Sequence, residues 1–144
     1  NYLNVNFENT NQIVAGASMG GLMSIKTSIL FPQFRNIISL SPAFWFGYPR
    51  VLYDVKNLSN ESSTYLYTGK KEGHIFGDHV KNIFSNDWDL DFSNNDDFYY
   101  SGVKKIEDSL KSNNKTVIFS YQENGHHNET SWATAILDIL GKLI

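Results

Sequence analysis

The sequence QIVAGASMGG occupies residues 12–21 and gives the clearest structural signal in the chain. Its first half is a short β-rich apolar run that ends in glycine, which is typical of a buried strand. From Met19 to Phe31 the apolar residues recur at spacings of three and four, which predicts a helix, and Pro32 ends it. We therefore expect a strand that passes directly into a helix through the turn at Ser18.

Further strands and helices follow along the chain. Apolar runs bounded by turn residues predict three more strands, at residues 36–40, 64–68 and 116–121. Helical periodicity predicts two more helices, at residues 98–110, with Asp96 and Asp97 as candidate caps, and at residues 130–143. Strands that alternate with helices predict an α/β fold of three layers, with helices on both faces of a parallel sheet.

The composition excludes several classes of protein. The chain has 12 Lys and Arg against 15 Asp and Glu, a net charge of −3, and no basic stripe, so no nucleic-acid partner is expected. No apolar run approaches the roughly 18–20 residues that a membrane span needs. The absence of cysteine excludes disulfides and thiolate metal sites. No linker or repeat divides the chain, so we expect residues 1–144 to form a single domain.

The turn between the first strand and the first helix carries the pattern Gly-x-Ser-x-Gly. A serine in such a turn takes a strained backbone with positive φ, and Gly16 and Gly20 are expected to remove side chains that would collide there. This context predicts a nucleophilic Ser18 above the carboxyl ends of the strands. The Met19 backbone N–H, at the helix N-terminus, is the expected first donor of an oxyanion hole. A glycine-rich turn that only packs strand against helix is the alternative.

A serine nucleophile needs a base, which in turn needs an orienting group. His126 and His127 lie in a polar segment after the fourth predicted strand, at the same edge of the sheet as Ser18. Adjacent side chains point in different directions, so one of the two is expected to face the serine. His74 and His79 are interpreted as solvated surface histidines.

The orienting acid is expected after the third predicted strand. Glu72 lies in the glycine-rich turn of residues 69–73, again at the edge of the sheet where the strands end. An exposed loop charge is the alternative, and Asp54 and Asp78 are weaker candidates for the acid. The chain order of serine, acid and histidine is that of α/β-hydrolases.

An aspartate series and an aromatic segment are also considered as functional sites. Asp87, Asp89 and Asp91 resemble the start of a calcium loop, but Phe92 and Phe98 stand where that loop needs Gly and Glu, so no metal is expected. The aromatic-rich segment 85–100 is interpreted either as a lid or specificity insertion, or as an ordinary loop with buried rings.

Four motifs in this order resemble an esterase group of α/β-hydrolases. They are residues 16–22, 38–45, 67–72 and 127–129, the last with Trp132. The group includes siderophore trilactone esterases, S-formylglutathione hydrolases, feruloyl and acetylxylan esterases, and mycolyl transferases. The resemblance covers nearly the whole chain.

The resemblance implies Ser18 as nucleophile, Glu72 as acid and His127 as base, because the group's histidine directly precedes an Asn-Glu pair. It also implies that Phe44 and Trp45 line the substrate cleft, although a plain packing role is the alternative. Members of the group carry earlier strands that hold the second oxyanion donor, so this chain is expected to be the C-terminal portion of such a domain.

The expected function is therefore hydrolysis of a small-molecule carboxylic ester through an acyl-enzyme on Ser18, with no metal and no organic cofactor. Acyl transfer to an alcohol by the same residues is one alternative. A non-catalytic hydrolase-like fragment that binds a ligand is the other.

Overall fold

The centre of the molecule is a sheet of four parallel strands in the order β1-β2-β3-β4. The structure is a computed structural model that describes residues 12–85 and 87–143. The strands are β1 (Ile13–Ala17), β2 (Asn36–Leu40), β3 (Ser63–Lys71) and β4 (Thr116–His126), and the helices are α1 (Met19–Leu30), α2 (Arg50–Asp54), α3 (Asn95–Ser112) and α4 (Glu129–Leu143). The predicted α/β fold with a parallel sheet is confirmed.

Helices cover both faces of the sheet. Neighbouring residues of a strand point to opposite faces, and accordingly Ile37 of β2 packs in one apolar cluster while Ile38 packs in another. The first cluster includes buried residues of α1 and α3, such as Ile25 and Ile106. The second includes Ile139 of α4. All carboxyl ends of the strands therefore meet at one edge, between helices on the two faces.

Strands β3 and β4 extend further than the sequence predicts. Gly69 does not end β3 but lies inside it, and β4 runs on to His126. The pairing between the two strands continues to Lys71 and His126, with an irregularity between Gly69 and Lys71. The predicted polar loops after these strands are thus mostly strand, because cross-strand pairing outweighs the turn preference of glycine.

Helix boundaries follow local chemistry. Phe31 leaves helical geometry before Pro32, as predicted. The cap of α3 is Asn94, whose side chain accepts a hydrogen bond from the Asp97 N–H, whereas Asp96 and Asp97 lie inside its first turn. The predicted capping role of these two aspartates is therefore wrong. Helix α2 was not predicted, because a helix of this length shows no periodicity.

The core under α3 is built from aromatic rings. Phe44 is fully buried and contacts Phe98 and Tyr99 of α3, with ring centroids 5.4 and 6.0 Å apart. Trp88 and Phe92 pack on the same Phe98 ring. Of the aromatic residues in segment 85–100, Phe98 and Tyr99 are therefore core residues, and Trp88 and Phe92 pack against the core while partly exposed. They match the interpretation of this segment as a loop with buried rings.

The helices do not suggest a membrane-spanning segment. Over residues 12–85 and 87–143, none of them combines the length and the apolar character that crossing a bilayer requires.

Two nearby phenylalanines provide a test of this packing. Phe44→Ala is expected to lower the free energy of unfolding by about 3–5 kcal/mol, because it leaves a cavity in the core. Phe46 is 69% exposed, so Phe46→Ala should change the free energy of unfolding by less than about 0.5 kcal/mol. Urea unfolding followed by circular dichroism measures both. Equal effects would contradict the burial assigned to Phe44.

Candidate active site

The backbone turns sharply at Ser18, between the last residue of β1 and the first residue of α1. Ser18 has φ 56° and ψ −121°, a conformation that costs an L-residue of the order of 1–3 kcal/mol. Three backbone hydrogen bonds hold it. Its N–H donates to the Leu40 carbonyl at 2.9 Å, and its carbonyl accepts from the N–H groups of Leu22 and Ala43 at 3.1 and 2.9 Å.

Glycines make this turn possible, though not the pair that the sequence analysis singled out. A Cβ on Gly16 would lie 2.2 Å from the Gly20 carbonyl oxygen, and one on Gly21 would lie 2.7 Å from the Leu40 carbonyl oxygen. A Cβ on Gly20 would meet nothing within 4 Å. The prediction that Gly20 removes a colliding side chain is therefore wrong. What is needed at residue 20 is its backbone, which approaches Gly16 closely.

A second close approach joins the ends of β3 and β4. A Cβ on Gly69 would lie 2.2 Å from the Gly125 carbonyl oxygen, and one on Gly125 would lie 2.8 Å from the Tyr67 hydroxyl. The two strands can approach this closely only because both positions lack a side chain. The residues that follow them, Glu72 and His127, are thereby brought next to each other.

Ser18, His127 and Glu72 form a continuous hydrogen-bonded chain. His127 Nε2 lies 2.9 Å from Ser18 Oγ, and His127 Nδ1 lies 2.9 Å from Glu72 Oε2. A carboxylate only accepts hydrogen bonds, so the Nδ1 atom carries the proton and Nε2 is free to accept from the serine hydroxyl. The structure thus brings together the three side chains that the sequence analysis selected.

Glu72 is fully buried and its second oxygen is also satisfied. Oε1 accepts hydrogen bonds from the Gly69 backbone N–H and from the Ser41 hydroxyl, the latter at 2.7 Å. Two buried tyrosines near Glu72 have raised pKa values. Desolvation, together with the Glu72 charge, raises the pKa of Tyr99 well above its usual value and that of Tyr67 to about 12. Both hydroxyls therefore stay protonated at neutral pH.

The His127 ring is fixed by its neighbours. The ring of Trp132 meets it edge to face at 4.9 Å, and the ring of Tyr99 lies 5.4 Å away. Asn128 accepts a hydrogen bond from the Ser131 N–H at 3.0 Å and so ties the histidine segment to the start of α4. Trp132 accordingly has the contacts expected of an anchor for this segment.

The other histidines lie apart from Ser18. His126 is exposed and packs against His74, with ring centroids 5.8 Å apart. His79 accepts a hydrogen bond from the Lys81 N–H in a separate short turn. Of the two adjacent histidines that the residue pattern alone left open, His127 is the one that faces the serine.

The rival acids are engaged elsewhere. Asp54 forms ion pairs with Lys26 and Arg50, which hold the pKa of its carboxyl below the usual range. Asp78 accepts hydrogen bonds from the His79 N–H and from the Asn82 side chain. Neither carboxylate contacts a histidine ring nitrogen among the hydrogen bonds of the described residues.

The residues expected to surround the reaction differ in availability. Met19 is 40% exposed and begins α1, so its N–H is among the first-turn donors that have no partner within the helix. Trp45 is partly exposed, so its contact with substrate stays a prediction. Phe44 is 0% exposed. The prediction that Phe44 lines the cleft is therefore wrong, because its ring fills the core against α3.

An open cleft of about 640 Å³ is lined by chain neighbours of Glu72 and His127 but by none of the three bonded residues themselves. Lys71 and Gly73, on either side of Glu72, line it, and so do His126 and Asn128, on either side of His127. Its other lining residues are His74, Asn94, Asn95 and Asp96. Apart from Gly73, each residue that lines the cleft has a polar or charged side chain.

Comparison with known proteins adds no assignment. No protein-family model matches this chain, and neither does any curated protein. Among residues 12–85 and 87–143, no three His, Asp or Glu side chains are grouped so that they could hold a metal ion. The geometry of Ser18, His127 and Glu72 is therefore the main structural guide to function.

The turn at Ser18 can be tested with two glycines that lie close together. Gly16→Ala is expected to lower the free energy of unfolding by about 1–3 kcal/mol, because the new methyl group collides with backbone. Gly20→Ala should leave stability unchanged or raise it by up to about 1 kcal/mol, since alanine favours helix. Chemical denaturation measures the difference. Similar losses in the two variants would show that the crowding is not where the structure has it.

Proposed function

We propose that this chain is a serine esterase of the α/β-hydrolase fold, which cleaves a carboxylic ester through an acyl-enzyme on Ser18. One observation carries the proposal: Ser18, His127 and Glu72 are joined by hydrogen bonds of 2.9 Å, with the serine on a strained turn at a helix N-terminus. This is the arrangement in which a weak hydroxyl nucleophile is activated by a base that a third group orients.

The first half of the reaction transfers the acyl group to the enzyme. Ser18 Oγ attacks the ester carbonyl carbon while its proton passes to His127 Nε2, and the carbonyl electron pair moves to oxygen. Glu72 keeps the imidazole in the tautomer that can accept this proton and stabilises the imidazolium. The proton then goes from Nε2 to the departing alcohol oxygen, the carbon–oxygen bond breaks, and an ester on Ser18 remains.

The second half uses the same groups for water. His127 Nε2 takes a proton from a water molecule as the water oxygen attacks the acyl carbon. The returning electron pair expels Ser18 Oγ, which regains its proton from His127. A free carboxylic acid leaves, and the enzyme returns to its starting state. The net reaction converts one ester and one water molecule into an alcohol and a carboxylic acid.

The negative oxygen formed in both halves needs hydrogen-bond donors. The Met19 N–H follows the nucleophile directly, and the first turn of α1 contains no acidic residue that would compete for its positive end. A donor in this position is worth about 10²- to 10³-fold in kcat in comparable sites. We therefore assign the first oxyanion donor to Met19.

The order of the strands supports the proposed α/β-hydrolase fold. Ser18 follows β1 of a parallel sheet, Glu72 follows β3 and His127 follows β4, so the three groups lie in the chain order of an α/β-hydrolase. The resemblance of the surrounding motifs to the esterase group points to an ester as the substrate. Water is the proposed acceptor of the acyl group, which makes the reaction a hydrolysis.

Reactivity of the serine gives the first test. A fluorophosphonate probe is expected to label the native chain at Ser18, and p-nitrophenyl acetate to be hydrolysed. Ser18→Ala should abolish both, with a loss of about 10⁶-fold in kcat. Ser112→Ala, at the exposed C-terminal end of α3, is the control for loss of a serine hydroxyl. A native chain that neither reacts with the probe nor cleaves the ester would indicate a binding protein instead.

The two adjacent histidines give a matched test of the base. His127→Ala removes the group bonded to Ser18 Oγ and should lower kcat by several orders of magnitude. His126→Ala removes an exposed ring that contacts only His74 among the described aromatic rings, so kcat should stay within about threefold of the wild type. Steady-state kinetics on the same ester measure both. A larger loss from His126→Ala would overturn the assignment.

A further inference from the structure

Ser41 makes four hydrogen bonds next to Glu72, although the sequence analysis gave it no role. It follows β2 directly and is fully buried. Its N–H donates to the Tyr67 carbonyl at 2.7 Å, and its own carbonyl accepts from the Tyr99 hydroxyl at 2.6 Å. Its side-chain Oγ contacts both Glu72 Oε1, at 2.7 Å, and Trp132 Nε1, at 3.0 Å.

The direction of the two side-chain bonds follows from the partners. The indole nitrogen of Trp132 can only donate, and the carboxylate of Glu72 can only accept. The Ser41 hydroxyl therefore accepts from Trp132 and has its single proton directed at Glu72. A hydroxyl without such a donor behind it would be free to rotate toward other acceptors.

The backbone of Ser41 is strained. Its φ is 42°, in the region that favours glycine, and a non-glycine residue there costs roughly 1 kcal/mol or more. Glycine would remove that strain but would also remove the hydroxyl. The presence of serine in this conformation thus points to a use for the hydroxyl beyond the stability of the turn.

We propose that Ser41 is a positioning residue that, with Trp132 behind it, holds the Glu72 carboxylate so that Oε2 faces His127 Nδ1. The inference rests on the proposed function in so far as it concerns rate. With the Ser41 hydroxyl and the Gly69 N–H both bonded to Oε1, the carboxylate is held at one oxygen while the other is left to the histidine.

Trp132 acts on the same pair in two ways. Its indole N–H fixes the Ser41 hydroxyl, and its ring packs against the His127 ring at 4.9 Å. Phenylalanine in its place would keep an aromatic ring beside His127 and remove the donor. Trp132→Phe therefore separates the hydrogen-bond contribution from the packing contribution.

The test combines two variants with one control. Ser41→Gly removes the hydroxyl and tolerates the positive φ, and Trp132→Phe leaves the backbone at residue 41 untouched. Ser28→Ala is the control, because Ser28 is a buried serine whose hydroxyl bonds to the Phe34 carbonyl, at the far end of α1. Each variant is checked for folding by circular dichroism before use.

Kinetics and proton NMR are the readouts. With p-nitrophenyl acetate, Ser41→Gly should lower kcat by about 10- to 100-fold with KM within about twofold, because misplacement of a catalytic group slows chemistry more than binding. Trp132→Phe should lower kcat several-fold, and Ser28→Ala should leave kcat unchanged. The far-downfield resonance of the His127 Nδ1 proton should weaken or move upfield in the first two variants only.

The outcomes separate this inference from the proposed function. If the wild type hydrolyses the ester but Ser41→Gly and Trp132→Phe keep both its kcat and the His127 resonance, Ser41 does not position Glu72. If the wild type shows no hydrolysis dependent on Ser18, the esterase proposal fails, while the resonance still decides whether Ser41 orients the Glu72–His127 pair. Should Ser41→Gly fail to fold, Trp132→Phe alone gives the decision.

Discussion

The sharp turn at Ser18 is the constraint on which the rest of this site depends. A non-glycine residue at φ 56° is unfavourable by itself. The conformation persists because three backbone hydrogen bonds hold Ser18, and because Gly16 and Gly21 allow the backbone around it to pack closely. The turn lifts one hydroxyl out of β1 and sets it at the first turn of α1. Without it, Ser18 would be an ordinary residue of a strand or a helix.

The second requirement is a buried carboxylate that remains fully bonded. A charge removed from water is costly unless donors replace the lost hydration. Glu72 has such donors in the Gly69 N–H, the Ser41 hydroxyl and the His127 ring. In the part of the chain that the structure describes, no buried side-chain polar atom lacks a partner. Each buried polar side-chain atom around the triad in that part of the chain is therefore hydrogen-bonded.

The sequence predicted most of this site because the decisive signals are local. The strand, the Gly-x-Ser-x-Gly turn and the helix are contiguous, and the order of serine, acid and histidine can be counted along the chain. The lengths of β3 and β4 were underestimated, since the close contact of Gly69 with Gly125 depends on pairing across the sheet. Glycine at these positions suggested turns, whereas in the fold it allows two strands to approach.

Other residues could not be assigned without the fold. The burial of Phe44 depends on α3, which lies far along the chain. The resemblance alone therefore suggested a place for Phe44 in the cleft. Ser41 and Tyr99 were missed for the same reason, because their roles come from contacts with Glu72 and with each other. The choice of His127 over His126 came from the motif resemblance, because the residue pattern alone does not show which of two adjacent side chains faces the serine.

In the proposed mechanism, Ser18 carries the acyl group during turnover. Mass spectrometry of the protein quenched in acid shortly after mixing with excess p-nitrophenyl acetate tests that claim most directly. We expect a mass increase of one acetyl group per chain, located by peptide mapping at Ser18 and missing in His127→Ala. An acetyl group found only on lysines or other residues, with Ser18 unmodified, would contradict the account.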